Sequence, residues 1–280
     1  MTEALRELSG AWNFRDVADG TSGLRPGRLF RSGELSRLDD EGRATLRQLA
    51  ISDVADLRAA REVARRGPGL VPDGVDIHLL PMPDLGDQET DEEPDGEPPH
   101  EAAFRKLFEG EGGEAGESDE SPAEAAGRYM ADEYRQFPTR NGTQQALHRV
   151  VTLLGEGRAV LTHCFAGKDR TGFVIATVLE MVGLDRDAIV ADYLRSNDSV
   201  SVLRDRITES LSQRTDVEVT PEIVKFTEAR LSDEVLGVRP EYLAASWRTI
   251  DETYGSLDSY LRDAGITATH IDQLRAALLT

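Results

Sequence analysis

The stretch LTHCFAGKDRTGF, residues 161–173, decides how this chain is read. It holds the only cysteine, Cys164, with Arg170 six positions later and Gly167 between them. The residues before it, RAVLTHC (158–164), form a short apolar run that reads as a buried strand. Those after it, TGFVIATVLEMVG (171–183), are apolar on almost every side, as a central helix is, and stop at Gly183. A loop that enters a helix turns several backbone N–H groups toward one point. Those donors and the positive helix end make an anion site. Gly167 lets the backbone turn where a side chain would obstruct it. Cys164 at the base of such a cradle is held as the thiolate by the same field, with the Thr171 hydroxyl as a further donor. The fork of Arg170 matches two phosphoryl oxygens and can steady charge on them during transfer. Thiolate and arginine together point to phosphoryl transfer: sulfur attacks phosphorus, and water hydrolyses the phosphocysteine. That chemistry requires no metal and no cofactor.

Competing readings of the loop fail on particular residues. A nucleotide P-loop wants G-x-x-x-x-G-K-[ST], but Asp169 follows the Gly-Lys pair and Thr162 stands where the first glycine belongs. A zinc site at His163 and Cys164 lacks further ligands nearby. A sulfurtransferase loop of the rhodanese type is one residue shorter. A cysteine that merely packs as a small apolar group leaves His163, Gly167 and Arg170 at this spacing unexplained.

The remaining sequence bounds the setting. The chain has 280 residues, 39% of them hydrophobic, enough for a sizeable core. One cysteine excludes an intrachain disulfide framework. A net charge of −20 argues against a nucleic-acid partner. Between 84 and 124 lie sixteen Asp/Glu and two Lys/Arg, so −14 of that charge sits in one segment. It is rich in Glu, Gly, Pro and Ser and reads as a flexible acidic insertion at about 86–122, within one domain spanning 1–280. The patch AAFRKLF (102–108) inside it reads either as a small docking helix or as a transiently helical loop. No apolar run approaches the roughly 20 residues of a membrane span, and MTEALRELSGAW has no signal pattern. The expectation is a cytoplasmic protein, or one exported without a leader, with no stable membrane anchor.

GRLFRS (27–32), ISDVADLR (51–58) and GVDIHLLPM (74–82) read as further strands. DDEGRATLRQLA (39–50) reads as a helix with Leu46 and Leu49 inward. Helices are expected in AEAAGRYMADEYRQF and TQQALHRVVTLLGEG. Two more start on prolines: one with Thr220 as cap before Pro221, the other at Pro240 and ending at Gly255. A last helix places Ile271, Leu274 and Leu278 on one face. Alternation of strand and helix up to Gly183 predicts an α/β fold with a mostly parallel sheet.

HCFAGKDRTG resembles the His-Cys-x5-Arg-Ser/Thr signature of the protein tyrosine phosphatase superfamily. Its Lys-Asp variant is similar to the loop of the bacterial atypical phosphatases related to the mycobacterial secreted protein tyrosine phosphatase B. NFRDVADG, GRLFRSGELSRL, VADLRAAREV, RYMADEYRQFPTRNG and IVADYLRSNDS resemble that family in order and spacing, so the likeness covers essentially the whole chain. It implies a cysteine-phosphatase fold, a parallel sheet flanked by helices, with a helical lid at about 198–236. It implies Cys164 as nucleophile and Arg170 as phosphate ligand. The backbone of Phe165, Ala166, Gly167, Lys168 and Asp169 forms the cradle, and His163 helps to position the cysteine. Substrates implied are phosphotyrosine proteins, with phosphoserine/threonine and phosphoinositides added because Lys168 places a second cation in the loop. The other reading of Lys168 is a solvated charge at the rim.

The general acid is open. No Trp-Pro-Asp loop is present. Asp169, inside the loop, ranks first, and Asp84, in LLPMPD at a predicted strand end, second. Asp132, 32 residues before the cysteine, reads rather as an exposed helical carboxylate. Arg15, Arg31 and Arg58 lie near strand ends, either lining the pocket mouth or in surface ion pairs. The alternative function is a catalytically silent module that binds phosphoproteins or phosphoinositides. Such relatives usually lack the Cys or the Arg, and this chain has both.

Overall fold

The computed structural model describes residues 8–82, 121–212 and 231–280. Asp84, the acidic insertion, the 102–108 patch and the helix start at Thr220 and Pro221 lie outside the described residues, as does the middle of the expected lid. Five strands form one sheet in the order β1-β2-β5-β3-β4. They are β1 Arg15–Asp16, β2 Leu29–Ser32, β3 Asp53–Asp56, β4 Asp76–Leu79 and β5 Val160–His163. β1 runs antiparallel to β2, and all other pairs are parallel. The fold is α/β with a mostly parallel sheet, as the alternation predicts.

β2 to β5 are shorter than the runs that predict them: each begins two residues later, and all but β2 also end earlier, where the chain passes into a loop. The side chains of the central strands alternate between two buried faces, while the edge strand β4 is largely exposed. Leu29, Ala55 and Val160 face one core, and Phe30, Val54 and Leu161 the other. The second core is closed by α1, Asp40–Gln48, through Leu46. The first is filled by α4, Asn141–Gly155, and by α5, Asp169–Val182, which is buried along almost its whole length. α2 is Ala60–Arg66 and α3 is Pro122–Gln136. After α5 the described chain is helical: α6 Arg186–Leu194, α7 Val200–Ser212, α8 Asp233–Leu236, α9 Pro240–Tyr254, α10 Leu257–Asp263 and α11 Ala268–Leu278. Gly183 and Gly255 end α5 and α9 in left-handed conformations, at φ 96° and 77°, which cost glycine nothing. Leu274 and Leu278 of α11 are buried, with Ile271 packed beside them.

Parallel register brings the strand ends into line: His163 pairs with both Ser32 and Asp56, and Asp56 with Leu79. The segments that follow each strand therefore gather at one edge. In open α/β sheets this is where ligands bind. Among the described residues, no helix is long and apolar enough to cross a membrane.

Candidate active site

The chain leaves β5 at His163, turns through Cys164–Lys168 and enters α5 at Asp169, two residues earlier than the apolar run suggests. The turn is made at Gly167, whose φ is 69°. A Cβ there would lie 2.2 Å from the carbonyl oxygen of Ser32, so both the conformation and the space require glycine. This geometry aims the Gly167 N–H at Cys164 Sγ, 3.3 Å away. Cys164 is buried, at 2% exposure. The Glu34 N–H holds the carbonyl of Phe165 at 3.0 Å. The ring of Phe165 lies between the edge of Trp12 and the guanidinium of Arg66, which sits 3.9 Å above it.

Arg170 is held as a planar fork. Glu62, from the first turn of α2, accepts from Nη1 at 2.5 Å and from Nη2 at 2.9 Å. The same carboxylate accepts from the N–H of Ala59, so it is anchored to its own helix start. Both partners are nearly buried. A guanidinium gripped along one edge has its plane fixed, which is what bidentate recognition of an oxyanion demands.

Lys168 and Asp169 form a pair at 2.8 Å, and Nζ also donates to the carbonyl of Gly237 at 3.2 Å. Asp169 Oδ1 accepts in addition from Tyr134 of α3 at 3.0 Å. The Tyr134 and Tyr193 hydroxyls lie 2.6 Å apart. Burial, then the nearby charge of Asp169, pushes both phenols well up from their ordinary value of 10.0, so they remain donors. His163 is wholly buried. Its Nδ1 lies 3.2 Å from the carbonyl oxygen of Cys164, where an N–H can donate. Burial lowers its pKa against the opposing pull of Asp56 and keeps the ring neutral.

A thiol with a backbone donor, at the mouth of a helix N-terminus and beside a fixed guanidinium, can attack a phosphorus atom and stabilise charge on its oxygens. The model of the tyrosine phosphatase family matches residues 6–280. The chain belongs to the tyrosine phosphatase family. It is 69% identical to the triple specificity protein phosphatase PtpB of Mycobacterium tuberculosis, across 99% of each chain. A provisionally named tyrosine-protein phosphatase of Cupriavidus necator is 29% identical, over 90% of this chain and 81% of its own.

The structure of this phosphatase brings Cys164, Phe165, Ala166, Gly167, Lys168, Asp169 and Arg170 into one loop. It departs from the sequence reading in two places and, for Lys168, excludes one of the two readings. Thr171 Oγ1 is buried without a hydrogen-bond partner among the described residues. It lies inside the first turn of α5, and the described donor to the thiol is the Gly167 N–H. Lys168 is no solvated rim charge but is 4% exposed, because the helix start turns it toward Asp169 and Gly237. Arg15, Arg31 and Arg58 do not form surface pairs, and Arg15 lines a cavity together with Trp12 and Asn13. All three are buried, Arg58 on Asp56 and Glu34, and the other two on Asp192. Asp132 is half-exposed and pairs with Arg135 on its own helix, as expected. Sequence reasoning did not single out Glu62, Asn13, Tyr134, Tyr193 or Asp192. Their only signal was position within the family-like segments, since each reaches the loop, directly or through another side chain, from a distant part of the chain.

Proposed function

We propose that this phosphatase hydrolyses phosphate monoesters through a phosphocysteine on Cys164. The observation that carries the reading is the joint geometry of one loop: the buried thiol under the Gly167 N–H, and the Arg170 fork locked by Glu62. Cys164 attacks phosphorus while Arg170 and the loop N–H groups hold the three non-bridging oxygens. The leaving oxygen takes a proton, and water then cleaves the S–P bond. Asp169, placed in the loop by Tyr134 and Lys168, supplies that proton from its protonated form and, as the carboxylate then left, takes a proton from the attacking water. Asp84 is the second candidate for this role. Phosphotyrosine proteins are the primary substrates. Phosphoserine and phosphothreonine are added by the likeness to a relative named for triple specificity.

Phosphoinositides are further substrates on this reading, with Lys168 drawing a second phosphate once it gives up the Gly237 carbonyl. Phosphate release from a phosphotyrosine peptide and from phosphoinositides, by wild type and Lys168→Ala, tests this. The lipid reading predicts a larger loss on phosphoinositides. Equal losses would remove it. The segment at about 198–236 acts as a lid. In support, Leu203 and Ile207 of α7 and Leu236 of α8 pack on Ala166 and Phe165 of the loop.

A further inference from the structure

The carbonyl oxygen of Gly167 is gripped from behind by two side chains. Asn13 Nδ2 donates to it at 2.8 Å and Arg31 Nη2 at 2.9 Å. We infer that Asn13 and Arg31 are positioning residues that aim the phosphate loop, and that Asp192 sets both of them. This rests on the reading of the loop as the phosphate site.

Each arm traces back to the same carboxylate. Arg31 Nη1 donates to Asp192 Oδ2 at 2.8 Å. On the other arm, Arg15 Nε donates to Asp192 Oδ1 at 2.8 Å, and Arg15 Nη1 donates to Asn13 Oδ1 at 2.6 Å. That last bond fixes which way the Asn13 amide faces: its oxygen is taken by Arg15, so its NH2 meets the loop. Ser196 Oγ lies within 3.4 Å of Arg15 Nη2 and 3.2 Å of Arg31 Nη2 and closes the cluster. Arg31 is 0% exposed and Asp192 3%.

Two features say that this cluster serves the loop. Asn13 has φ 54°, a left-handed backbone that asparagine adopts more readily than other non-glycine residues. Here it turns the amide onto Gly167. Second, three arginines, Arg15, Arg31 and the more exposed Arg195, share the Asp192 carboxylate behind an anion site, so the cluster adds net positive charge where a phosphate needs it. Burial and the neighbouring Arg31 lower Arg15 to about 10, which leaves it charged at neutral pH.

The consequence follows from the peptide group. The 167–168 bond is trans and planar. Its C=O and N–H point opposite ways. With the carbonyl drawn outward onto Asn13 and Arg31, the Lys168 N–H faces the inner side of the loop, where phosphoryl oxygens sit. Gly167 thus has its N–H on the thiol and its C=O in the clamp, and nucleophile and cradle are set by one residue.

Asn13→Gly removes the amide at a backbone position glycine accepts. Asn13→Asp keeps the shape and the pairing with Arg15 but turns an acceptor toward the carbonyl. The readouts are kcat and KM on a phosphotyrosine peptide, the Kd of inorganic tungstate as an unreactive oxyanion, and Tm. The clamp predicts that Asn13→Gly lowers kcat/KM and tungstate affinity by roughly tenfold, the loss expected for one positioned donor, with Tm changed little. Asn13→Asp falls further. A purely structural Asn13 predicts the reverse order, with Asn13→Asp near wild type. Wild-type kcat/KM and tungstate affinity in folded Asn13→Gly would overturn the inference. Cys164→Ser, run alongside, separates the two claims. If it is dead while the Asn13 variants match wild type, the clamp alone fails; if it turns over normally, the phosphate-loop reading fails.

Discussion

On the proposed reading, Arg170 serves the phosphoryl group in the plane that the two bonds to Glu62 fix. Glu62→Ala removes both bonds to the fork while leaving the arginine charged. We expect kcat/KM on a phosphotyrosine peptide to fall by roughly ten- to a hundredfold, the range lost when an oriented donor pair is released. Steady-state kinetics on the folded variant checks this, and an unchanged kcat/KM would remove Glu62 from the site. The choice between Asp169 and Asp84 also belongs at this scale. A general acid matters most when the leaving oxygen is basic. Asp169→Asn should therefore lose more turnover on an alkyl phosphate such as phosphoserine peptide than on an aryl phosphate with an acidic phenol. Asp84→Asn should lose equally on both. The opposite pattern would move the role to Asp84. Cys164, Gly167 and Arg170 were legible because their spacing is local and the chemistry admits few residue types. Glu62 was not, because it lies 108 residues from the arginine it holds and looks in sequence like any acidic residue in a helix's first turn.

At the scale of elements, periodicity and end signals carried most of the reading. The glycine stops at 183 and 255 and the proline start at 240 fall where the helices end and begin. The start of α5 did not, because the last turn of the loop is already helical and its residues are polar. Of the segment proposed as a lid, the described residues include α7 and α8, which pack against the loop. Leu203 and Ile207, exposed by 4% and 7%, cover Ala166. If this packing shields the nucleophile, Leu203→Ala with Ile207→Ala should open the cover locally. Alkylation of Cys164 by iodoacetamide should then run several-fold faster at unchanged kcat for a small aryl phosphate. Equal alkylation rates in wild type and variant would count against a lid at α7.

Across the whole molecule, buried charge binds the site to its scaffold. Asp192 reaches Arg15 across 177 positions, a distance no local pattern spans, so the clusters behind the loop were visible in sequence only as polar residues inside family-like segments. The same burial gives a pH dependence. His163 is held neutral, below its ordinary 6.5, by burial first, and His148 is lowered as well. As pH falls through 6.5, the unfolded chain takes protons that the folded chain refuses. Stability is thus fully present above about pH 6.5 and declines below it, by at most about 1.4 kcal/mol per pH unit for each such proton. Denaturant midpoints between pH 7.5 and pH 5 (about that span suffices) should fall with pH, and His163→Asn should flatten the slope. A slope unchanged in that variant would assign the effect to other groups.

The central claim is that the lone cysteine accepts the phosphoryl group, and one comparison tests it most directly. Phosphate release from a phosphotyrosine peptide is measured with wild type and Cys164→Ser, in the presence of chelator. We predict turnover by wild type alone, with a rapidly quenched wild-type sample carrying phosphate on Cys164. Turnover by Cys164→Ser at the wild-type rate would contradict the account.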